Sequence, residues 1–362
     1  MPDIAIFVPS LRGGGAERVM VTLANAFAAR GLAVDLVLAR AEGPYLPEVS
    51  AAVRIVNLDR GRVLAALVPL ARYLRRDRPG AMLSALNHAN VVAILARALV
   101  RVPLRLVVSE RNSLSGLRGW RGRVMLALMR RAYPAADHVI AVTEEMRDEL
   151  VGQLGLHPVR VSAIPNPVDI DALRARAAER PDHPWLAPGQ SPVLLAVGRL
   201  TPQKDYPTLI RAFAELRAAR PCRLVILGEG GVRGALTALA AELGVAEDMA
   251  LPGFVANPFG WMAACSVFVM SSRHEGFPNA LVQAIACDAR VVSTDCPTGP
   301  AEILDNGRWG RLVPVGDHAA LARALAEALD DPAPPDSAAR ARAFRADTIT
   351  VAYLDVLRPG RT

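Results

Sequence analysis

The sequence predicts an α/β protein built from two successive doubly wound parallel sheets facing a cleft. Three observations carry this. Short β-branched or aliphatic runs alternate with segments whose apolar residues recur at helical spacing. The alternation pauses at a proline-rich stretch near the middle and then restarts. The length, 362 residues, exceeds what one ordinary core accommodates.

Taken in order, residues 3–8 read as a strand and 16–30 as a helix, with Val19, Leu23, Ala26 and Phe27 on one face. A strand at 33–38, a helix at 64–74, a strand at 81–85 and a helix at 90–99 follow. Strands at 105–109 and 138–142, a helix at 143–154 and a strand at 159–164 complete the first half. Residues 164–169 are turn chemistry, and 180–192 hold four prolines. The second half gives strands at 193–197, 223–227, 249–251, 267–270 and 290–293. Its helices are expected at 208–220, 234–243, 258–264, 279–286 and 319–329, with a last one at 337–357. The domains expected are 1–167, a linker at 168–192, a second domain at 193–335 and a closing helical segment at 336–362.

Composition narrows the class. With 52% hydrophobic and 21% charged residues the chain is globular. The opening apolar run, 4–8, is too short for a signal peptide, and Arg97 and Arg101 interrupt the most apolar region. Cys222, Cys265, Cys287 and Cys296 show no paired spacing and read as reduced thiols in a cytoplasmic protein. Residues 1–165 carry 22 Arg against 13 Asp and Glu, whereas 166–362 carry 20 basic and 22 acidic residues. The surplus positive charge therefore belongs to the first half. It concentrates at Arg101, Arg105, Arg111, Arg118, Arg121, Arg123, Arg130 and Arg131, opposed only by Glu110. Around Trp120 the text is basic, aromatic and then apolar, which suits docking on an anionic membrane surface. A solvated arginine-rich helix is the alternative. No nucleic-acid-binding module is present, and aromatics make up only 5% of the chain.

Chemistry concentrates at strand-to-helix turns. Ser10 to Arg18 joins the first strand to the first helix and contains Gly13, Gly14 and Gly15, which let backbone amides approach a ligand. The turn after the 193–197 strand carries Arg199 and Lys204. Lys204 is the only lysine among 42 basic residues, so a compact point charge is retained where an arginine fork would not serve. Arg199 can hold a phosphate bidentately and Lys204 can neutralise a second one. Gly228, Gly230 and Gly234 fail the dinucleotide fingerprint by one residue, and the run reads as a turn at a cleft wall. After the 267–270 strand, Glu275 stands in a loop before Gly276 and a helix beginning near Asn279. A carboxylate beside exposed amides can hold sugar hydroxyls while the amides hold phosphate oxygens. Glu302 follows a further turn and reads as a first-turn carboxylate.

With these residues in hand, the chain resembles the retaining nucleotide-sugar glycosyltransferases of GT-B architecture, in the large family-four group. The resemblance runs end to end. It rests on Gly14-Gly15-Ala16-Glu17-Arg18, Ser109-Glu110-Arg111-Asn112, Pro165-Asn166-Pro167, Gly198-Arg199-Leu200 with Lys204, and Glu275-Gly276-Phe277-Pro278-Asn279. It implies two Rossmann-like domains, the first on the acceptor side and the second binding the donor. It further implies that Arg199 and Lys204 bind the donor diphosphate and that Glu275 contacts the donor sugar. The amides of Gly276, Phe277, Pro278, Asn279 and Ala280 would lie against sugar and phosphate (proline offering only its ring), and Phe254 and Val255 against the base. Gly14 and Gly15 would face donor phosphate and acceptor, with Glu17, Arg18, His88, Glu110 and Asn112 on the acceptor side.

Two departures stand out. The family's second glutamate, eight residues after Glu275, is Gln283 here, which keeps a hydrogen bond to ribose but not a charge. Where many members place a histidine near the reacting carbon, this chain has Arg111, with His88 as the other histidine candidate. The Ser-Glu-Arg-Asn text resembles a subgroup that extends lipid-diphosphate-linked glycans.

The expected reaction is therefore sugar transfer, with retention, from a nucleotide-diphosphate sugar (UDP above all) to a glycan or polyprenyl-diphosphate-linked acceptor. Arg199 and Lys204 would stabilise the leaving diphosphate, Glu275 and Arg111 would complete the catalytic set, and domain closure would finish the site. No Asp-x-Asp motif stands near these residues, so neither metal nor cofactor is expected. The location expected is the inner face of the cell membrane. A non-hydrolysing nucleotide-sugar epimerase and a non-catalytic nucleotide-sugar-binding partner are the competing readings.

Overall fold

The structure, a computed structural model, describes residues 1–12, 14–117 and 119–360. Among these residues the chain divides into two compact units. One comprises 1–167 together with the carboxy-terminal segment from Arg345, and the other comprises Val168–Phe344.

The first unit is a parallel sheet with helices between its strands. Its elements are β1 (Ile4–Val8), α1 (Gly15–Ala29), β2 (Val34–Leu38), β3 (Val53–Asn57), α2 (Leu67–Asp77) and β4 (Ala81–Ala85). They continue as α3 (Asn87–Val100), β5 (Arg105–Ser109), α4 (Gly119–Ala132), β6 (His138–Ala141), α5 (Glu144–Leu154) and β7 (Val161–Ala163). The strand order is β3-β2-β1-β4-β5-β6-β7. Every residue of β1, β2 and β4 is buried, as expected of strands covered on both faces. Helix ends follow local chemistry: the Thr143 hydroxyl accepts from the Met146 amide at 3.1 Å to start α5, and Gly155 in the left-handed region stops it.

The second unit contains α6 (Ile170–Ala177), β8 (Val193–Val197), α7 (Tyr206–Ala219), β9 (Arg223–Leu227), α8 (Arg233–Glu242), β10 (Met249–Gly253) and α9 (Phe259–Ala264). After these come β11 (Val267–Met270), α10 (Asn279–Ala286), β12 (Val291–Thr294), α11 (Pro300–Ile303), β13 (Arg311–Val313), α12 (His318–Asp330) and α13 (Ser337–Ala341). The strand order is β10-β9-β8-β11-β12-β13, again parallel. Its core joins Leu194 and Leu224 of the sheet to Leu209 and Phe213 of α7 and Leu321 and Leu325 of α12.

The chain then returns to the first unit as α14 (Ala346–Leu357), whose Ile349, Tyr353 and Leu357 join the core of Ile4, Leu23, Phe27 and Leu83. The sequence reading had one helix over 337–357. The observed break at 342–345 arises because α13 packs on α10 in one unit while α14 packs on α1 in the other. Residues 168–192, expected as a linker, instead belong to the second unit. Asp169 caps α6 by accepting from the Ala172 amide at 3.0 Å, and the buried Ile170 and Leu173 fix it against α9 and α10.

In both sheets the order reverses beside the first strand: at β1/β4 in the first unit and at β8/β11 in the second. At such a switch point the loops leaving the carboxyl ends of two adjacent strands run apart and open a crevice, the usual ligand position in open α/β sheets.

Candidate active site

In the second unit, the loops leaving β8 and β11 flank the switch point, and they carry Arg199, Lys204 and Glu275. Several contacts stitch them together. The Lys204 ammonium lies 2.6 Å from Glu275 Oε1, and Ser272 Oγ donates to the same oxygen at 2.6 Å. Ser271 Oγ donates to the Lys204 carbonyl at 2.7 Å, Gln203 Nε2 to the His274 carbonyl at 2.8 Å, and the Arg273 amide to the Gln203 carbonyl at 2.8 Å. Arg273 also pairs with the buried Asp205 carboxylate at 3.1 Å, and Thr208 donates to that carboxylate at 2.9 Å. Asp205 sits in the left-handed region with φ +46°, which aspartate adopts more readily than most non-glycine residues, and those partners hold it there.

The side chains of Lys204 and Glu275 are only 19% and 8% exposed, so the pair is largely desolvated. Glu275 is held further through its carbonyl, which accepts from the Thr298 hydroxyl. Its Oε2 has no hydrogen bond among the described residues. Arg199, by contrast, is exposed, and its guanidinium makes no hydrogen bond or ion pair among the described residues. The site thus offers one free guanidinium, one ammonium already paired, and one carboxylate with an open oxygen. Nearby, burial and the Glu275 charge push the Cys296 thiol up to about 12, so it stays a neutral thiol.

Gly276 to Pro278 lead into α10, whose first turn has no side-chain cap; the Asn279 and Leu281 amides bond the Phe277 and Pro278 carbonyls at 2.9 Å each, which leaves the Ala280 amide available among the described residues. Gln283 is half-buried one turn further on, and its side chain makes no hydrogen bond among the described residues. Phe254, at the end of β10, is 79% exposed, and Val255 beside it is half-buried. An aromatic ring that exposed, on a loop at the ligand end of the sheet, is available for stacking.

The glycine turn after β9 is a backbone wedge. A Cβ on Gly228, which has φ +141°, would lie 2.0 Å from the Gly198 carbonyl oxygen, and one on Gly230 would lie 2.2 Å from that of Leu200. The Leu200 amide bonds the Glu229 carbonyl at 2.9 Å. The run thus props the Arg199 loop.

In the first unit, Gly14, Gly15 and Glu17 lie at the β1/α1 turn, where the Glu17 carboxylate folds back over Gly14. Gly13 lies outside the described residues. Arg18 is engaged locally, 3.1 Å from Glu48 and stacked on Tyr45. His88 lies in the first turn of α3 at the switch point, and burial holds its pKa below the usual value. Just before it, Leu86 has φ +80°, strain that no sequence pattern announces. After β5, Glu110 is fully buried. Its carboxylate accepts from Tyr133 at 2.8 Å and from the Arg111 and Asn112 amides at 3.1 and 3.3 Å, while burial pushes its pKa upward. Asn112 is exposed. Arg111 is 6% exposed, donating to Asn166 and, at 2.8 Å, to the Tyr353 hydroxyl. It braces the Pro165-Asn166-Pro167 turn and α14 against the β5 loop.

Sequence reasoning missed Ser272, Thr298, Asp205 and Arg273, the groups that set Lys204 and Glu275 in place. Only the left-handed residue before a helix left a trace, as Asp205 directly precedes Tyr206 and Pro207.

Two Rossmann-like units, the second presenting cations and a held carboxylate at its switch point, are the build of a GT-B glycosyltransferase. Residues 13–172 match the model of Glycosyltransferase Family 4, and residues 191–331 match Glycosyl transferases group 1. A curated relative is 30% identical over 347 residues, covering 91% of each chain. It is the N-acetylgalactosamine-N,N'-diacetylbacillosaminyl-diphospho-undecaprenol 4-alpha-N-acetylgalactosaminyltransferase of Campylobacter jejuni. The lipopolysaccharide core biosynthesis glycosyltransferase LpsE of Rhizobium meliloti is 28% identical, covering 96% of each chain. The crystal structure of HepE from Anabaena, in complex with UDP and glucose, superposes with a TM-score of 0.82 at 22% identity, over 99% of this chain and 100% of that one. The chain belongs to this glycosyltransferase family and is an enzyme of that class.

Proposed function

We propose that the enzyme moves a hexose-type sugar, with retention, from a nucleotide-diphosphate donor, most simply a UDP-sugar, to a polyprenyl-diphosphate-linked glycan. The observation that carries this reading is the unpaired, exposed Arg199 beside the Lys204–Glu275 pair at the switch point of the second sheet. In this reading Arg199 and Lys204 hold the two phosphates, and the open Oε2 of Glu275 accepts a sugar hydroxyl. The amides of Gly276, Phe277 and Ala280 face sugar and phosphate, with Pro278 and Asn279 shaping the turn between them. Gln283 reaches the ribose through its amide oxygen, and Phe254 with Val255 lies along the base. As the glycosidic bond breaks, the electron pair leaves with the diphosphate, whose growing charge is met by the two fixed cations. Neither metal nor cofactor is assigned a step.

The Campylobacter relative, by its name, acts on a diphospho-undecaprenol-linked glycan, and HepE was crystallised with UDP; both support the choice of substrates. On the acceptor side, Glu17, Arg18, His88 and Asn112 stand at the ligand end of the first sheet, with the buried Glu110 and Arg111 behind them, and Gly14 and Gly15 face donor phosphate and acceptor. Attachment to an anionic membrane surface fits the exposed stripe of Trp120, Val124 and Leu128 on α4, flanked by the exposed Arg121, Arg123 and Arg131. The neighbouring α3 adds Leu95 and Leu99. Arg118, a further candidate at this surface, lies outside the described residues. Among the described residues no helix is long and apolar enough to cross a membrane.

The deciding experiment is a donor screen by mass spectrometry with an undecaprenyl-diphosphate-linked sugar as acceptor. Mass gain by one hexose-type residue with one donor supports the reading. Conversion of the donor, without any acceptor, into an isomer of equal mass separated by chromatography would point instead to an epimerase.

A further inference from the structure

Lys204 and Glu275 have opposite charges and, if the enzyme uses a nucleotide sugar, distinct ligand partners. Yet they are already bonded to each other at 2.6 Å, in a setting where each is mostly shielded from water. Ser272 donates to the same oxygen of Glu275, so the carboxylate is held in place and cannot swing away from an arriving diphosphate. Thr298 fixes the Glu275 backbone, and Ser271 fixes that of Lys204. A bare nucleoside diphosphate would have to share the ammonium with a carboxylate that repels it at close range. The full nucleotide sugar brings hydroxyls, which the open Oε2 of Glu275 can accept.

We propose that Glu275 makes the diphosphate site selective against its own product: its charge weakens binding of the bare nucleoside diphosphate, and sugar hydroxyls relieve that penalty only while the donor is intact. This rests on the nucleotide-sugar reading above. Once the sugar has left, Glu275 loses its hydroxyl partner, its charge beside Lys204 again opposes the diphosphate, and the diphosphate leaves. Product release is a common limiting step in such enzymes, and the site contains its own ejector.

The test is calorimetric titration of the full chain with UDP, GDP and ADP and with their glucose conjugates. With whichever nucleoside diphosphate binds wild type most tightly, Glu275→Gln should bind it roughly tenfold tighter, equivalent to about 1.4 kcal/mol. The same substitution should leave the matching nucleotide sugar bound no tighter than in wild type. Ser272→Ala removes a neutral donor and keeps the charge, so it should bind the diphosphate no tighter than wild type. If Glu275→Gln proves unfolded by circular dichroism, Glu275→Ala carries the same expectation. Diphosphate binding unchanged or weakened in the folded Glu275 variant overturns the inference alone. So does tightening of equal size in Ser272→Ala, because the effect would then not be one of charge. Failure of wild type to bind any of the nucleotides or conjugates overturns the nucleotide-sugar reading, and the inference with it.

Discussion

Replacing Lys204 by Met should unfold the second unit at lower temperature, and adding Glu275→Gln to it should restore much of the loss. Lys204→Met leaves a carboxylate that is 8% exposed with Ser272 as its only side-chain partner among the described residues. Removing one member of a buried ion pair typically costs about 3–5 kcal/mol, because the other charge stays desolvated. Lys204 keeps some exposure, which lowers the expectation to about 2–3 kcal/mol. For a domain of this size each kcal/mol shifts the midpoint by roughly 2–4 °C, so the single variant should melt about 4–12 °C lower. The double variant has no uncompensated charge and should recover most of that difference. Differential scanning calorimetry resolves the transition, and a double variant that melts no higher than Lys204→Met would refute a buried, coupled pair.

The other expectations are more direct. Arg199→Ala and Lys204→Ala should each lower transfer by roughly 10²-fold or more, as when a donor to a developing charge is lost, and wild-type turnover in a steady-state assay of either would refute the assignment. Gly228→Ala places a methyl 2.0 Å from the Gly198 carbonyl oxygen and should displace the Arg199 loop, seen as weakened nucleotide binding together with a lower melting point. Triple substitution of Trp120, Val124 and Leu128 by Ser should reduce co-flotation with anionic liposomes, and unchanged flotation would count against that surface. His138 is held below the ordinary value of 6.5 by burial, with Arg105 adding to it. Acid therefore favours the unfolded chain: the stability involved is complete above about pH 6.5 and is lost as pH falls through the folded value. His138→Asn should accordingly melt with a shallower dependence between pH 6.5 and 5, checked by calorimetry across that range.

Much of this architecture could be read from the residues because parallel strands buried on both faces are short apolar runs. β1, β4, β8 and β11 stand out for that reason. The strands that escaped lie at sheet edges. β3 reads Val-Arg-Ile-Val-Asn, with Arg54 turned to Asp35 and Asp77 at the rim, and β13 is three residues long. Lys204 and Glu275 were legible as polar groups in loops after buried strands. Their mutual contact was not, since they lie 71 residues apart and only the strand order brings their loops together. The same limit hid the Asp205–Arg273 pair.

The Gly228–Gly230 turn shows how a glycine signal can mislead by its chemistry rather than by its position. Glycines after a strand suggest amides presented to a phosphate, yet these two are required because the Gly198–Leu200 backbone occupies the space their side chains would fill. In the function proposed above, the phosphate-facing role belongs to the neighbouring turn, which holds an arginine and a lysine. A loop that carries charged side chains for binding cannot also be soft, and the wedge supplies the rigidity. The Gly228 amide bonds the Gly253 carbonyl at 2.8 Å, so the wedge is itself tied to the end of β10, next to Phe254. The Arg199 loop, the glycine wedge and the Phe254 loop are therefore joined by consecutive backbone contacts across β8, β9 and β10. A change at any one of the three is expected to be felt at the other two.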